Sequence, residues 1–167
     1  MDCALVSDVS YKNENIGMII NNNIVVVNNK PVLFKGLEFP LEISFNSDAS
    51  KFMISFKNGS IVVYETKTFF ELCRMIHPDE NSHVFTDNKN HYFSNIDAEQ
   101  YLWAIKNNEY VSLKSIEKEV FKPEKILALF GNSNQEYIKV LEKAQAIREE
   151  TKAKEGENIT LNNTLES

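Results

Sequence analysis

The chain is poor in cysteine, glycine and proline, and short of positive charge. Only Cys3 and Cys73 occur among 167 residues. Two are too few for a disulfide scaffold and read as buried or free thiols of a reducing compartment. Five Gly and four Pro exclude collagen-like and Gly/Ser-linker classes. The 18 Lys and Arg lie scattered among 24 Asp and Glu, for a net charge of −6. That balance argues against a nucleic-acid or anionic-membrane surface, which needs clustered Lys and Arg to displace counterions. No apolar run approaches the ~20 residues of a membrane-spanning helix. Met1-Asp2-Cys3-Ala4-Leu5-Val6 has neither the basic n-region nor the long apolar h-region of a signal peptide. These absences predict a soluble cytoplasmic protein without nucleic-acid or membrane partners.

Chemical machinery is also missing. The three histidines, His77, His83 and His91, have no HExxH or paired-Cys companions, so no metal residue is assigned. No GxGxxG or Walker-type glycine loop occurs, which leaves nucleotide binding without a motif and the expected cofactor as none. Cys73 could pair with a histidine as nucleophile and base. It follows Phe69-Phe70-Glu71-Leu72 in what reads as a buried strand, where cysteine is usually structural. With no acid, base and nucleophile gathered, the chain reads as a non-enzyme with no catalytic residue.

What is present is globular: 43% hydrophobic and 25% charged residues. The length suits one domain, or a small domain with an appendage, at ~100–200 residues per domain. Asparagine is abundant, 20 residues, an excess read as AT-rich coding rather than mechanism.

Residues 1–95 read as β, from short Val-, Ile-, Phe- and Tyr-rich runs separated by Asn, Asp and Gly clusters. Ile16–Ile20 and Ile24–Val27 flank Asn21-Asn22-Asn23; Phe52–Phe56 and Ile61–Tyr64 flank Lys57-Asn58-Gly59-Ser60, and Asn-Gly is the strongest short hairpin signal. The strands repeat. Val9-Ser10-Tyr11-Lys12 opens one unit and Ile43-Ser44-Phe45-Asn46 a second, a period of the kind that marks structural repeats. A last hairpin is predicted from His83–Thr86 and His91–Ser94.

The second unit resembles a blade of a WD-repeat-type β-propeller. Ile43-Ser44-Phe45-Asn46-Ser47-Asp48-Ala49-Ser50-Lys51-Phe52-Met53-Ile54-Ser55 is similar to the segment written apolar-x-Phe-Ser-x-Asp-Gly-x-x-apolar-apolar. Tyr64-Glu65 stands where Trp-Asp is usual. The first unit matches poorly, and a generic antiparallel β-meander accounts for the same pattern.

The second half turns helical. Asp97 can cap a helix with Gln100 at the reciprocal position, and Ala98, Tyr101, Leu102 and Ile105 lie at helical spacing, which makes Tyr101 core. Asn107-Asn108 ends that helix. Ser112 caps a second, striped by Leu113, Ile116 and Val120. Pro123 opens a third with Ile126, Leu127 and Phe130 on its apolar side, and Gly131 stops it. Residues 132–153 hold an amphipathic fourth, striped by Tyr137, Val140, Leu141, Ala144 and Ile147, and 154–167 form a polar, disordered tail. The expected fold class is therefore α+β: an antiparallel meander of blade-like units over 1–95, then three or four helices, with the segment 96–131 packed on the β part.

This half resembles the segment joining WD-type repeats to a caspase-like (metacaspase-type) peptidase in prokaryotic proteins. His91-Tyr92-Phe93-Ser94, Glu99-Gln100-Tyr101-Leu102-Trp103, Tyr110–Ile116, Phe121-Lys122-Pro123 and Ile126-Leu127 follow its order. No peptidase half follows Gly131, and only two blade units are visible. The resemblance implies a stand-alone relative of the regulatory part, a caspase-like peptidase as partner, and a bacterial stress or antiviral defence setting.

Trp103 falls off the helical stripe, so it either packs on the β part or awaits a partner. Four readings follow: an interaction module whose open face is covered by a partner or by self-association; a self-contained peptide-binding β domain; a minimal enzyme, disfavoured; and a substrate of a caspase-like protease, cut in the loop 77–90 or the tail after 148. The expected protein-binding residues are Trp103, Tyr110, Phe121, Tyr137 and Leu141.

Overall fold

Tight turns fold the β half into two antiparallel sheets in a computed structural model, which describes residues 5–34, 39–130, 136–147 and 150. The first sheet holds β1 (Val6–Lys12), β2 (Asn15–Ile20), β3 (Ile24–Val27) and β4 (Lys30–Pro31). The second holds β5 (Pro40–Phe45), β6 (Lys51–Phe56), β7 (Ser60–Glu65), β8 (Glu71–Asp79), β9 (Ser82–Asp87) and β10 (Tyr92–Ser94). Strands neighbour one another in chain order in both, so each is a meander. The fold is α+β.

The asparagines make the turns. Asn13 and Glu14, Asn21 and Asn22, and Asn28 and Asn29 all have φ between 45° and 66°. Two successive left-handed residues form the hairpin turn whose twist matches the flanking strands, and Asn tolerates that conformation best among residues with a side chain. The same side chains close the loops: Asn21 Oδ1 accepts the Leu5 N–H at 2.8 Å, and Asn28 Oδ1 accepts that of Ile16 at 3.0 Å. Asparagine therefore has a structural use at these turns.

The core lies between the sheets. Ile19, Val25 and Val27 from the first sheet meet Ile43, Phe52, Ile54, Phe56, Val62 and Tyr64 from the second, all buried. Strand alternation puts these on one face of each sheet. Gly17 permits the close approach, since a β-carbon there would stand 2.6 Å from Ile43 Cδ1. Asp8 ties the seam, its Oδ2 accepting the Ile43 N–H at 2.8 Å.

The segment after β10 departs from the expected helix over 97–106. Asp97 does cap a turn, accepting the Glu99 N–H, but that turn is a single 3-10 turn, Ala98–Gln100. β11 (Ala104–Lys106) and β12 (Glu109–Val111) follow as a hairpin. Asn107 and Asn108, expected to end a helix, have φ of 54° and 66° and make its turn. Tyr101 is correspondingly exposed rather than core. Ser112 caps as expected, and the 3-10 turn Leu113–Ile116 runs into α1 (Glu117–Val120).

Phe121 then bridges in parallel to Tyr92, and Lys122 N–H donates to the Tyr92 carbonyl at 3.0 Å. The chain wraps this edge into α2 (Pro123–Leu129), opened by Pro123 and anchored by the fully buried Ile126. Phe130 stands edge-on to Phe85 at 5.8 Å, on the face of the second sheet opposite the core. Residues 136–147 are helical (α3). Its buried stripe is Ile138, Leu141, Ala144 and Gln145, not the expected one, because Tyr137, Val140 and Ile147 face outward. Cys3, Gly131, and the tail 154–167 lie outside the described residues.

Candidate functional site: an uncovered sheet face

The two units are equivalent strand by strand. Val9 pairs with Met18, which pairs with Val26; Ile43 pairs with Ile54, which pairs with Val62. Tyr11 faces Ile16 as Phe45 faces Phe52. In the second unit this face is covered by the first sheet, and Ile43 is 4% exposed and Phe52 1%. In the first unit the same positions lie open, with Val9 60%, Tyr11 66% and Ile16 43% exposed. Val6 and Ile24 extend the patch, and Met18, Ile20 and Val26 fill its centre half-buried.

An apolar patch spread over three strands is a candidate docking surface on physical grounds. Covering a Val, Ile or Tyr of this kind contributes roughly 1.5–3 kcal/mol apiece. None of these residues was among the expected contacts. Their signal was in the sequence: β2 and β3 are apolar at every position except Asn15 and Gly17, which is how strands buried on both faces read.

Of the expected contact residues, Trp103 and Tyr110 are exposed, at 74% and 79%. Tyr110 belongs to the β11–β12 hairpin, where it pairs with the exposed Ile105, and Trp103 immediately precedes β11. Trp103 lies on no helix stripe and stays exposed; it lines an open groove of about 620 Å³ with Leu102, Ile105, His91, Tyr92 and Val120. Phe121 is half-buried, 5.3 Å from the Tyr92 ring and 6.3 Å from Phe93. Tyr137 is exposed and Leu141 half-buried on α3. The structure leaves Trp103 and Tyr110 exposed but sets Phe121 into the edge packing.

The titratable groups are occupied structurally. Burial, reinforced by Asp87 and Glu71, pushes the Cys73 thiol up to about 12. Asp87 closes the β9–β10 turn, accepting from His91 Nδ1 at 2.8 Å and from the Lys89 and His91 N–H groups. Ser82 and the Asn81 N–H hold the Asp79 carboxyl below its usual range. His77, expected in a loop, lies in β8, and residues 77–90 are mostly strand with two tight turns rather than one open loop. Among the described residues no group of three His, Cys, Asp or Glu could hold a metal ion, and no helix is long and apolar enough to cross a membrane.

No family model and no curated protein matches the chain. Among solved structures, a chain of the "Crystal Structure of Mitotic Checkpoint Complex" aligns with a TM-score of 0.39 at 9% identity, over 66% of this chain and 41% of that one. A likeness of that degree carries no argument, and the architecture stands on the chain's own pairing.

Proposed function

We propose that the chain is a non-catalytic interaction module that docks another protein on the outer face of its first sheet. The observation that supports this is the contrast between Val9, 60% exposed, and its repeat equivalent Ile43, 4% exposed. One position, one chemistry and two environments mean that the first unit lacks the cover the second has. The order of segments shared with the region between WD-type repeats and a caspase-like peptidase favours such a peptidase as the partner. The chain would then act as a cytoplasmic regulatory or scaffolding piece in a bacterial stress or antiviral setting.

Photo-crosslinking from position 11 tests the reading. With Tyr11 replaced by a photoreactive phenylalanine in the native cell, one dominant protein adduct is expected, lost in a Val9→Lys background. Absence of an adduct sinks the docking reading, and an adduct that is not a caspase-like peptidase sinks that choice of partner.

A second reading, peptide binding, is favoured by the groove beside Trp103, whose volume falls in the ~300–1,000 Å³ range of ligand sites. Trp103 is the chain's one tryptophan, so its fluorescence reports occupancy directly. Emission unmoved by a library of short apolar peptides excludes this use of the groove.

A further inference from the structure

We infer that the outer face of the first sheet receives a further blade-like antiparallel sheet, one whose apposed face is aliphatic and carries a glycine opposite Val9. This rests on the docking reading above and names the class of partner. The argument is continuity with an interface already present. The second unit shows what its face requires: an aliphatic sheet surface (Ile19, Val25, Val27), a glycine where Ile43 presses in, and a carboxylate for the Ile43 N–H. The first unit presents the same face by register.

The backbone repeats the requirement. The turn at Asn13 and Glu14 closes on the pair Lys12 and Asn15. Counting back along the ladder, Val9 and Met18 form a pair whose N–H groups point away from each other. The Val9 N–H therefore points outward, as the Ile43 N–H does toward Asp8. A partner sheet is expected to bring an acceptor to Val9 where Asp8 serves Ile43.

The far side of the stack offers no such match: Met53 is exposed there, but no strand glycine lies on it among the described residues. α2 lies on the opposite face of the second sheet, with Ile126 buried and Phe130 beside Phe85, Met53 and Val63. The inner face of the first sheet is occupied by the second. A second copy of this chain thus has no free glycine-bearing sheet face among its described residues, because Gly17 already lies against Ile43, and the occupant is a different sheet.

The test adds such a sheet in its simplest form. A duplicate of residues 1–39 is joined ahead of the full chain, so that the duplicate's own Asp8 and Gly17 face can cover the native Val9. Hydrogen exchange at the native Val9 and Tyr11 amides should slow by roughly tenfold or more. Unfolding should stay a single transition, and Gly17→Val in the duplicate alone should remove the protection. Unchanged exchange overturns the inference. So does sedimentation of the unmodified chain as a dimer that Val9→Lys dissolves, since the occupant is then a second copy. A Tyr11 adduct with an unprotected tandem chain leaves the docking reading standing and removes this inference alone; absence of the adduct removes both.

Discussion

Gly17 and Ile43 are shaped to each other across the two sheets: a β-carbon on Gly17 would stand 2.6 Å from Ile43 Cδ1 and 3.2 Å from Cγ1. The Ile43 side chain occupies the volume that any other residue at 17 would fill. Gly17→Val should therefore cost about 1–3 kcal/mol by overpacking. In an Ile43→Ala background the added penalty should fall by at least half, because the colliding atoms are gone. A double-mutant cycle by urea denaturation measures the coupling. Equal penalties in both backgrounds would show that the strand, not the contact, is what Gly17 serves.

Val9 and Ile43 hold one repeat position under opposite conditions, and substitution should separate them. Ile43→Ala removes buried methyl groups and should cost about 2–5 kcal/mol. Val9→Ala and Val9→Lys change an open surface and should move the isolated chain by no more than about 0.5 kcal/mol. Thermal and urea unfolding of the three variants decide it. A large loss at Val9 would mean that its face is already covered in the isolated chain.

The β half was legible because its signals are local. The hairpins at Asn21, Asn28 and Gly59 need only turn residues between β-formers, and the repeat follows from comparing Val9 with Ile43. The stretch 97–106 was not, because Ala98, Tyr101, Leu102 and Ile105 satisfy a helical period that a short apolar run meets by chance. The deciding clue lay just beyond. Ala104-Ile105-Lys106 and Glu109-Tyr110-Val111 flank Asn107-Asn108, the same doubled asparagine that turns the chain at 21–22 and 28–29. The open face of the first sheet was missed for a different reason. Strand pattern says that both faces of β2 are apolar, but only the packing shows which one the second sheet leaves bare. On α3 the near-equal apolarity of neighbouring positions left rotation open, and Ile138 rather than Tyr137 turned inward.

Cys73 sits in β8 at 1% exposure, its thiol pushed up to about 12 by burial first and by Asp87 and Glu71 second. Burial and the raised pKa both disfavour the thiolate, the reactive form, at neutral pH. In a Cys3→Ser chain, modification by a disulfide reagent near neutrality should proceed only at the rate of unfolding and become immediate in denaturant. Fast labelling of the folded chain would restore Cys73 as a candidate for chemistry.

Glu99 reaches across to the next element. Its carboxylate accepts from the Ser112 hydroxyl and, at 3.3 Å, from the Lys114 N–H, with Lys114 Nζ 3.4 Å away. The Ser112 hydrogen bond, then that of the Lys114 backbone, hold its pKa below the ordinary 4.5. A carboxyl depressed in the folded state stabilises fully above its unfolded value and loses that contribution as pH falls through the folded one. The chain should weaken as pH drops below about 4.5, and Glu99→Gln should flatten part of that loss while leaving Asp48 and Asp79, also depressed, to supply the rest. Urea unfolding followed from neutral to acid pH reads the difference between the two slopes. Parallel curves would remove Glu99 from the account.

Asn28 combines both uses of asparagine in this chain, and its variants separate them. Its φ is 51°, its Oδ1 accepts the Ile16 N–H at 3.0 Å, and its Nδ2 donates to Asn15 Oδ1 at 2.7 Å. Asn28→Gly keeps the left-handed backbone and loses the hydrogen bonds, worth about 0.5–1.5 kcal/mol apiece at most on this exposed turn. Asn28→Ala loses the same bonds and adds the left-handed penalty of an ordinary residue, about 1–2 kcal/mol. Alanine should therefore be the worse substitution by about that difference, measured by denaturant unfolding of the two variants against the parent. Because Asn28 also ties the end of β3 to Ile16 of β2, the loss should also appear as faster exchange at Val26, at the centre of the open face. If glycine proves as damaging as alanine, the side-chain bonds rather than the backbone conformation hold this hairpin, and the doubled asparagines owe their place to hydrogen bonding alone.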